Sequence, residues 1–248
     1  MLRFSSLTPA AAAAVAIFAG VAVAPPSKAA VPLTAASSAT GFDLALNLDG
    51  VKQNTGNQLH AAGSAPPSYN NTTTMPSFSK GFAGPAGSSA SVSAGSVSSS
   101  ASSAGPVSGS ITAIGLFKAG TFNAGINTPL GALLSISASN VVSRSTFTKT
   151  RTGAVKPVGA ASFGKVTISG PLLGIPTKSF SGPAKVNQVL FQSPDKSVTV
   201  YLNRQVTTGP VAKPTSISVD ALAIVVDNKT IPMNAVSAEV VMGATMAN

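Results

Sequence analysis

The chain has no cysteine and no tryptophan, a single histidine, and only six acidic residues in 248. Without cysteine there is no disulfide framework, no zinc–thiolate or iron–sulfur centre and no thiol nucleophile. With one histidine, any Ser-His-Asp triad would have to be built on His60. Charged residues make up 9% of the chain, where an average soluble domain has about 25%. That scarcity excludes charge-driven disorder and a charge-laced helical bundle. What remains is a chain that is 44% hydrophobic, mostly through Ala, Val and Leu, and long enough for one ordinary domain or two small ones.

The N-terminus has the three-part layout of an export signal. Arg3 is followed by an uncharged, alanine-rich run from Pro9 to Ala24, and then by Pro25, Pro26, Ser27, Lys28 and Ala29. The reading is a helical signal peptide over 1–29, cut after Ala29; a cut after Ala24 also fits the small-residue rule but would leave Pro25 behind it. The rival reading is an uncleaved anchor, for which the apolar run is short of the roughly 20 residues a spanning helix needs. Removal of 1–29 takes Arg3 and Lys28 with it, leaving 219 residues and lowering the formal net charge from +10 to +8. No later apolar run is long enough to span a bilayer. The protein is therefore expected to be secreted or at the cell surface, with the periplasm as another destination. A chain of this length can bury enough surface to fold without disulfides.

From residue 30 onward the periodicity is that of strands. Phe42, Leu44, Leu46 and Leu48 alternate with Asp43, Asn47 and Asp49. Val198, Val200 and Leu202 alternate with Thr199, Tyr201 and Asn203. Residues 216–227 and 235–245 flank the turn signal Asp227-Asn228-Lys229-Thr230 and should pair as an antiparallel hairpin. Further strands are expected at 111–117, 122–126, 134–150, 163–169 and 186–191, punctuated by proline and glycine. The fold class expected is all-β, an antiparallel sandwich or barrel-like domain over 30–248.

Two stretches stand apart. Residues 60–82 show no pattern and read as a long polar loop. Residues 84–109 are Ser/Gly/Ala-rich, the composition of a flexible linker, yet Ser91-Val92-Ser93-Ala94 alternates as a thin strand would. The segment 91–99 (SVSAGSVSS) also echoes 135–143 (SISASNVVS) at an offset of 44. The strand reading is preferred, because it gives the strand at Phe42 partners downstream and keeps one domain.

Candidate chemistry is sparse. A catalytic base at His60 would need a nucleophile and an orienting carboxylate, and no spacing supplies them. Asp43, Asp49, Asp220 and Asp227 lie on outward strand faces, where paired carboxylates could serve glycoside hydrolysis or Ca²⁺ binding. No Asp-x-Asp-x-Asp spacing or tryptophan platform accompanies them. The glycine-rich stretch lacks the Gly-Lys-Ser/Thr of a phosphate loop. Asn70, Asn71 and Asn228 head Asn-x-Thr sequons and read as loop residues. The basic residues are thinly spread, densest at Arg144, Lys149, Arg151 and Lys156, without interleaved aromatics, so no nucleic-acid partner is expected. Thr146, Thr148 and Thr150 line one side of a strand, and a flat threonine row can contact a polymer or order water.

The succession Val198-Thr199-Val200-Tyr201-Leu202-Asn203-Arg204-Gln205, Ile217-Ser218-Val219-Asp220-Ala221-Leu222-Ala223-Ile224 and Val236-Ser237-Ala238-Glu239-Val240-Val241-Met242-Gly243-Ala244, preceded by FGKVTISG at 163–170, resembles the bacterial choice-of-anchor P surface proteins. The likeness covers about 135–246 and is weaker before that. It implies an exported, β-rich surface domain and transfers no catalytic residue. The chain departs from the family at 240–248, which carry no sorting motif, apolar tail or basic stop. The function expected is a secreted or cell-surface structural or adhesive protein, without catalytic activity, metal or cofactor. Its expected partners are envelope or extracellular polysaccharide, or further copies of the chain. The alternative is a polysaccharide- or ice-binding module using Thr/Ser faces. A hydrolase with an unrecognised site comes third.

Overall fold

Alternating side chains run through nearly every segment that follows, and each such segment becomes a strand. The computed structural model describes residues 33–248 apart from 49–50, 55, 57, 84–86, 108, 154 and 232–233. The expected signal peptide, 1–29, lies outside the described residues. The chain begins sheet A with β1 (Ala35–Leu48), β2 (Val51–Asn54) and β3 (Gln58–Ala65). It then lays down sheet B as a six-stranded antiparallel meander: β4 (Tyr69–Ala83), β5 (Ser89–Val107), β6 (Ser110–Thr128), β7 (Gly131–Thr150), β8 (Val155–Gly170) and β9 (Ile175–Ala184). A single 3-10 turn, Pro171–Leu173, separates β8 from β9. The chain returns to sheet A through β10 (Gln188–Gln192), β11 (Val198–Thr208), β12 (Ser216–Ile231) and β13 (Asn234–Ala247).

Sheet A has the order β10-β11-β12-β13-β1-β2, with β3 beside β2 along the same edge of β1. The two sheets form an all-β sandwich, and Pro32–Asn248 is one compact unit. The expected hairpin is β12 with β13, from Ile217↔Ala247 to Val226↔Ala238, and it lies at the centre of sheet A between β11 and β1. Val219, Ile224, Val240 and Met242 are buried, as the alternation requires. The Ser/Gly/Ala-rich stretch supplies β5, hydrogen-bonded along its length to β4 and β6.

One expectation needs correction. Residues 60–82 are not a polar loop; they contain most of β3 and β4, joined through Pro66-Pro67. In β3 the buried positions after Leu59 are filled by Ala61 and Ala65, too small to stand out in a hydropathy pattern. β4 is an edge strand, mostly exposed, with Met75, Phe78 and Phe82 partly covered by the core. An edge strand needs neither a continuous apolar face nor a second partner.

At one level of each sheet the alternation slips by one residue. In β6 the inward side chains are Ile111, Ala113, Phe117 and Ala119, then Phe122, Ala124 and Ile126. In β1 they are Ala35 and Ala39, then Phe42 and Leu44. The pairing on either side shows that the residues at the slip face one another across the sheet: Ser96, Gly120 and Asn140 in sheet B, with Gly164 packed on Asn140. In sheet A they are Asn203, Ala221, Gly243 and Gly41. A bulge normally adds a residue to one strand of a pair. Here neighbouring strands add one together, so the ladders keep step while every side chain beyond the line changes face. Ser96, Asn140, Asn203 and Gly243 take positive φ of 44°, 47°, 52° and 68°. Asparagine and glycine are the residues that tolerate this region best.

The interior differs across the slip line. On one side lie Phe42, Phe122, Ile136, Ile168, Leu202 and Leu222. On the other, Ile111, Phe147, Ile217 and Val219 form a smaller cluster among Ala35, Ala39, Ala101, Ala113, Ser143 and Ser145, and the sheets touch closely. A Cβ at Gly115 of β6 would collide with the Ser38 carbonyl of β1, on the facing sheet. Polar cross-links run between the sheets here: Ser37 Oγ donates to the Ile114 carbonyl at 2.8 Å, and Ser143 Oγ to the Val219 carbonyl at 3.3 Å. The buried Ser99 and Ser145 hydroxyls have no hydrogen-bond partner among the described residues.

Two comparisons test this interior. Ser143→Ala removes a made bond and should lower stability by about 1 kcal/mol, whereas Ser145→Ala removes a hydroxyl that costs free energy to bury and should be neutral or stabilising. Urea midpoints that fall equally for both would show that Ser145 is bonded after all. Gly243→Ala forces a side chain into the left-handed region and brings its Cβ within 2.6 Å of the Phe117 ring. It should cost about 3 kcal/mol, against about 1–2 for Gly153→Ala, which has the same backbone constraint in open space. Equal losses would remove the contact with Phe117.

Candidate functional site

The two outer faces of the sandwich differ in chemistry. On sheet A, alternation turns Thr199, Tyr201 and Arg204 of β11, Asp220 and Val225 of β12, Glu239 of β13 and Asp43 of β1 away from the core. Arg204 bridges two acids: its Nε donates to Asp220 at 2.8 Å and an Nη to Glu239 at 3.0 Å. Asp220 is well buried beneath the guanidinium. Burial pushes its carboxyl above the ordinary carboxylate range, and the bond to Arg204 only partly offsets this. Arg204 is held above its own ordinary value: partial burial works against the charge, and the bonds to Asp220 and Glu239 outweigh it.

An open hollow of about 500 Å³ lies on this face, lined by Ala45, Val225, Val226 and Ala238 with Lys52 and Glu239. The carboxylates considered in the sequence do not converge in it. Asp43 lies on β1 and Asp220 on β12, with β13 between them. Asp227 lines the hollow, and Asp49 falls outside the described residues. His60 is exposed on β3, its Nδ1 3.3 Å from Thr40 Oγ1. Among the described residues no group of three or more His, Asp or Glu could hold a metal ion.

The outer face of sheet B is of another kind. Thr146, Thr148 and Thr150 stand on it in β7, each half-exposed. Thr148 is hydrogen-bonded to Thr112 of β6 at 3.0 Å, and Thr150 to Thr152 at 2.8 Å. Thr146 lies between Ile114 and Val158, so the threonine row has an apolar flank. Beyond the slip line the same face becomes a field of small polar groups. Ser79, Ser93, Asn123, Ser137, Thr167 and Ser179 form one transverse row, one residue from each of the six strands. The next row is Gly81, Ser91, Gly125, Ser135 and Ser169. Neighbouring strands are about 4.8 Å apart, and same-face residues of one strand just under 7 Å. The result is a regular lattice of donors and acceptors, with no aromatic ring in either row.

The echo at an offset of 44 marks this lattice in the sequence. Ser91 and Ser93 of β5 stand in the rows of Ser135 and Ser137 of β7, on either side of β6. The echo extends to Ser96 and Asn140, both of positive φ, and to the buried pair Ser99 and Ser143. The two segments are equivalent strands of one sheet.

Among the described residues no helix is long and apolar enough to cross a membrane. Comparison of the chain with protein-family models, with curated proteins and with solved structures found no match.

The Arg204 cluster gives a pH prediction. Because the folded chain holds a proton on Asp220 at higher pH than the unfolded chain does, this group favours folding most at acid pH and loses that contribution as pH rises through its folded value. Against Asp220→Asn, the wild type should therefore gain melting temperature on going from pH 7 to pH 3. A wild type that loses ground to the variant over that range would mean that Arg204 holds the carboxyl below its ordinary value.

Proposed function

We propose that the protein is a secreted, non-catalytic β-sandwich whose outer sheet B face contacts extracellular or envelope polysaccharide. The observation that carries the reading is the transverse row Ser79, Ser93, Asn123, Ser137, Thr167 and Ser179. Hydroxyl and amide groups at fixed spacing can exchange their hydrogen bonds to water for bonds to sugar hydroxyls. Each exchange contributes about 0.5–1.5 kcal/mol, so an extended array is needed where no deep pocket serves. A carpet built on six hydrogen-bonded strands supplies that array already ordered, which reduces the entropic cost of association. The leader-like N-terminus and the resemblance of 135–246 to choice-of-anchor P surface proteins support an extracellular setting.

The reading is tested by retention on insoluble extracellular matrix and envelope fractions. Asn123→Ala, Ser137→Ala and Thr167→Val together should lower retention about tenfold at unchanged melting temperature. Ser38→Ala, Ser64→Ala and Ser218→Ala, on sheet A's outer face, should leave it unaltered. Equal retention of both triple variants would assign the contact to some other surface.

A further inference from the structure

The acidic residues of the chain are Asp43, Asp49, Asp195, Asp220, Asp227 and Glu239. All of them belong to strands of sheet A or to the connections beside them. Residues 50–194 contain none, and this interval holds the whole of sheet B. Sheet B is thus a surface of one sign. Four of its cations point outward, away from the core. Lys118 lies between the buried Phe117 and Ala119, and Arg144 between the buried Ser143 and Ser145. Lys156 is set against Thr148 of the threonine row, and Lys165 against Ser139, at the border of the hydroxyl field. All four are exposed. The ion pairs found among the described residues involve Arg204 on sheet A, and no carboxylate stands on sheet B to neutralise its cations.

We infer that the outer face of sheet B binds an acidic polysaccharide, with Lys118, Arg144, Lys156 and Lys165 taking its carboxylate or sulfate groups and the Ser/Thr/Asn rows its hydroxyls. This rests on the polymer-contact reading above and adds the charge class of the polymer. Two features of the face favour an acidic glycan over other polyanions. A single-stranded nucleic acid is normally gripped by aromatic platforms, whereas the aromatic rings of sheet B stand on its inner side: Phe117, Phe122, Phe147 and Phe163 are buried, and those of the edge strands β4 and β9 pack partly buried against the core. An anionic bilayer gains from apolar side chains inserted beside the cations. Here Arg144 stands between Leu116 and Ala160 and Lys118 beside Val142, but Lys156 and Lys165 stand against Thr148 and Ser139, and the rows at Lys165 are serine, threonine, asparagine and glycine. Cations bordering a field of hydroxyls match a chain that alternates charge with hydroxyl-rich rings.

The probes are polygalacturonate and its fully methyl-esterified form, which keeps the backbone and loses the charge, titrated into the purified chain. Binding to polygalacturonate should be at least about tenfold tighter than to the ester at 50 mM salt, and should weaken about tenfold by 300 mM as the charges are screened. Replacing Lys118, Arg144, Lys156 and Lys165 together by Gln should cost about 30-fold. The same change at Lys52, Lys185, Lys196 and Lys213, on sheet A and its connections, should cost less than about threefold, although the net charge falls equally. In the wild-type chain, polygalacturonate should also protect Lys118, Lys156 and Lys165 from acetylation, a readout that does not depend on the variants folding. Equal loss in the two quadruple variants, or absence of that protection, overturns the inference. So does tighter binding to duplex DNA or to phosphatidylglycerol vesicles at matched charge. Equal affinity for polygalacturonate and its ester overturns the acidic preference alone. The polymer-contact reading then still stands if the Asn123, Ser137 and Thr167 variant loses both.

Discussion

How closely two sheets can lie is set by what fills the space between them. In this protein half of that space is filled largely with alanine, serine and glycine, and the backbones come near enough for Ser37 and Ser143 to bond to carbonyls of the opposite sheet. Much else follows from that contact. Small side chains bury little apolar area, so the larger share of the hydrophobic contribution comes from the other half, where the bigger cluster lies, with Ile111, Phe147, Ile217 and Val219 adding a second on this side. The change from small to large interior occurs where the strands slip by one residue. Without the slip, the positions that face inward in one half would face inward in the other too, and Phe122 and Ile126 would point to solvent.

The same constraint shapes the outer faces. A strand whose inner positions are mostly alanine and serine can also carry serine outside, and β5, with only Val92 and Val97 as larger inner residues, does so over nearly its whole length. It survives as a strand because it is paired on both sides and lies against sheet A. Charge is then partitioned, acids with sheet A and cations alone on sheet B. Cations without acids beside them give a face of one sign, which like-charged faces repel.

Where hydropathy alternates with contrast, the sequence was enough. Phe42 and Leu44 face the core as read, and β12 and β13 pair at the centre of their sheet. Contrast is what β3 lacks, since Ala61 and Ala65 are its inward residues beyond Leu59. The slip cut the reading of single strands into pieces: 111–117 and 122–126 are one strand, β6, broken in phase at Gly120. The candidate surface was legible at Thr146, Thr148 and Thr150, where three threonines stand in one strand. The larger rows could not be seen, because each draws one residue from each strand and exists only once the register is known. The echo between 91–99 and 135–143 was their one trace along the chain.

β1 and β13 are neighbours in sheet A, bonded from Ser37↔Ala247 to Leu48↔Val236, and the backbones of Ala36 and Asn248 exchange two hydrogen bonds of 2.9 Å. The first of the described strands is therefore joined to the last. Until β13 arrives, β1 has only β2 and β3 beside it, and the central ladder of sheet A is missing. Contacts of such long sequence separation make folding slow, in the range of milliseconds to seconds for all-β topologies. A polypeptide of this kind stays threadable for as long as its C-terminal strand is withheld. Its sheet A completes only when the chain through β13 is present.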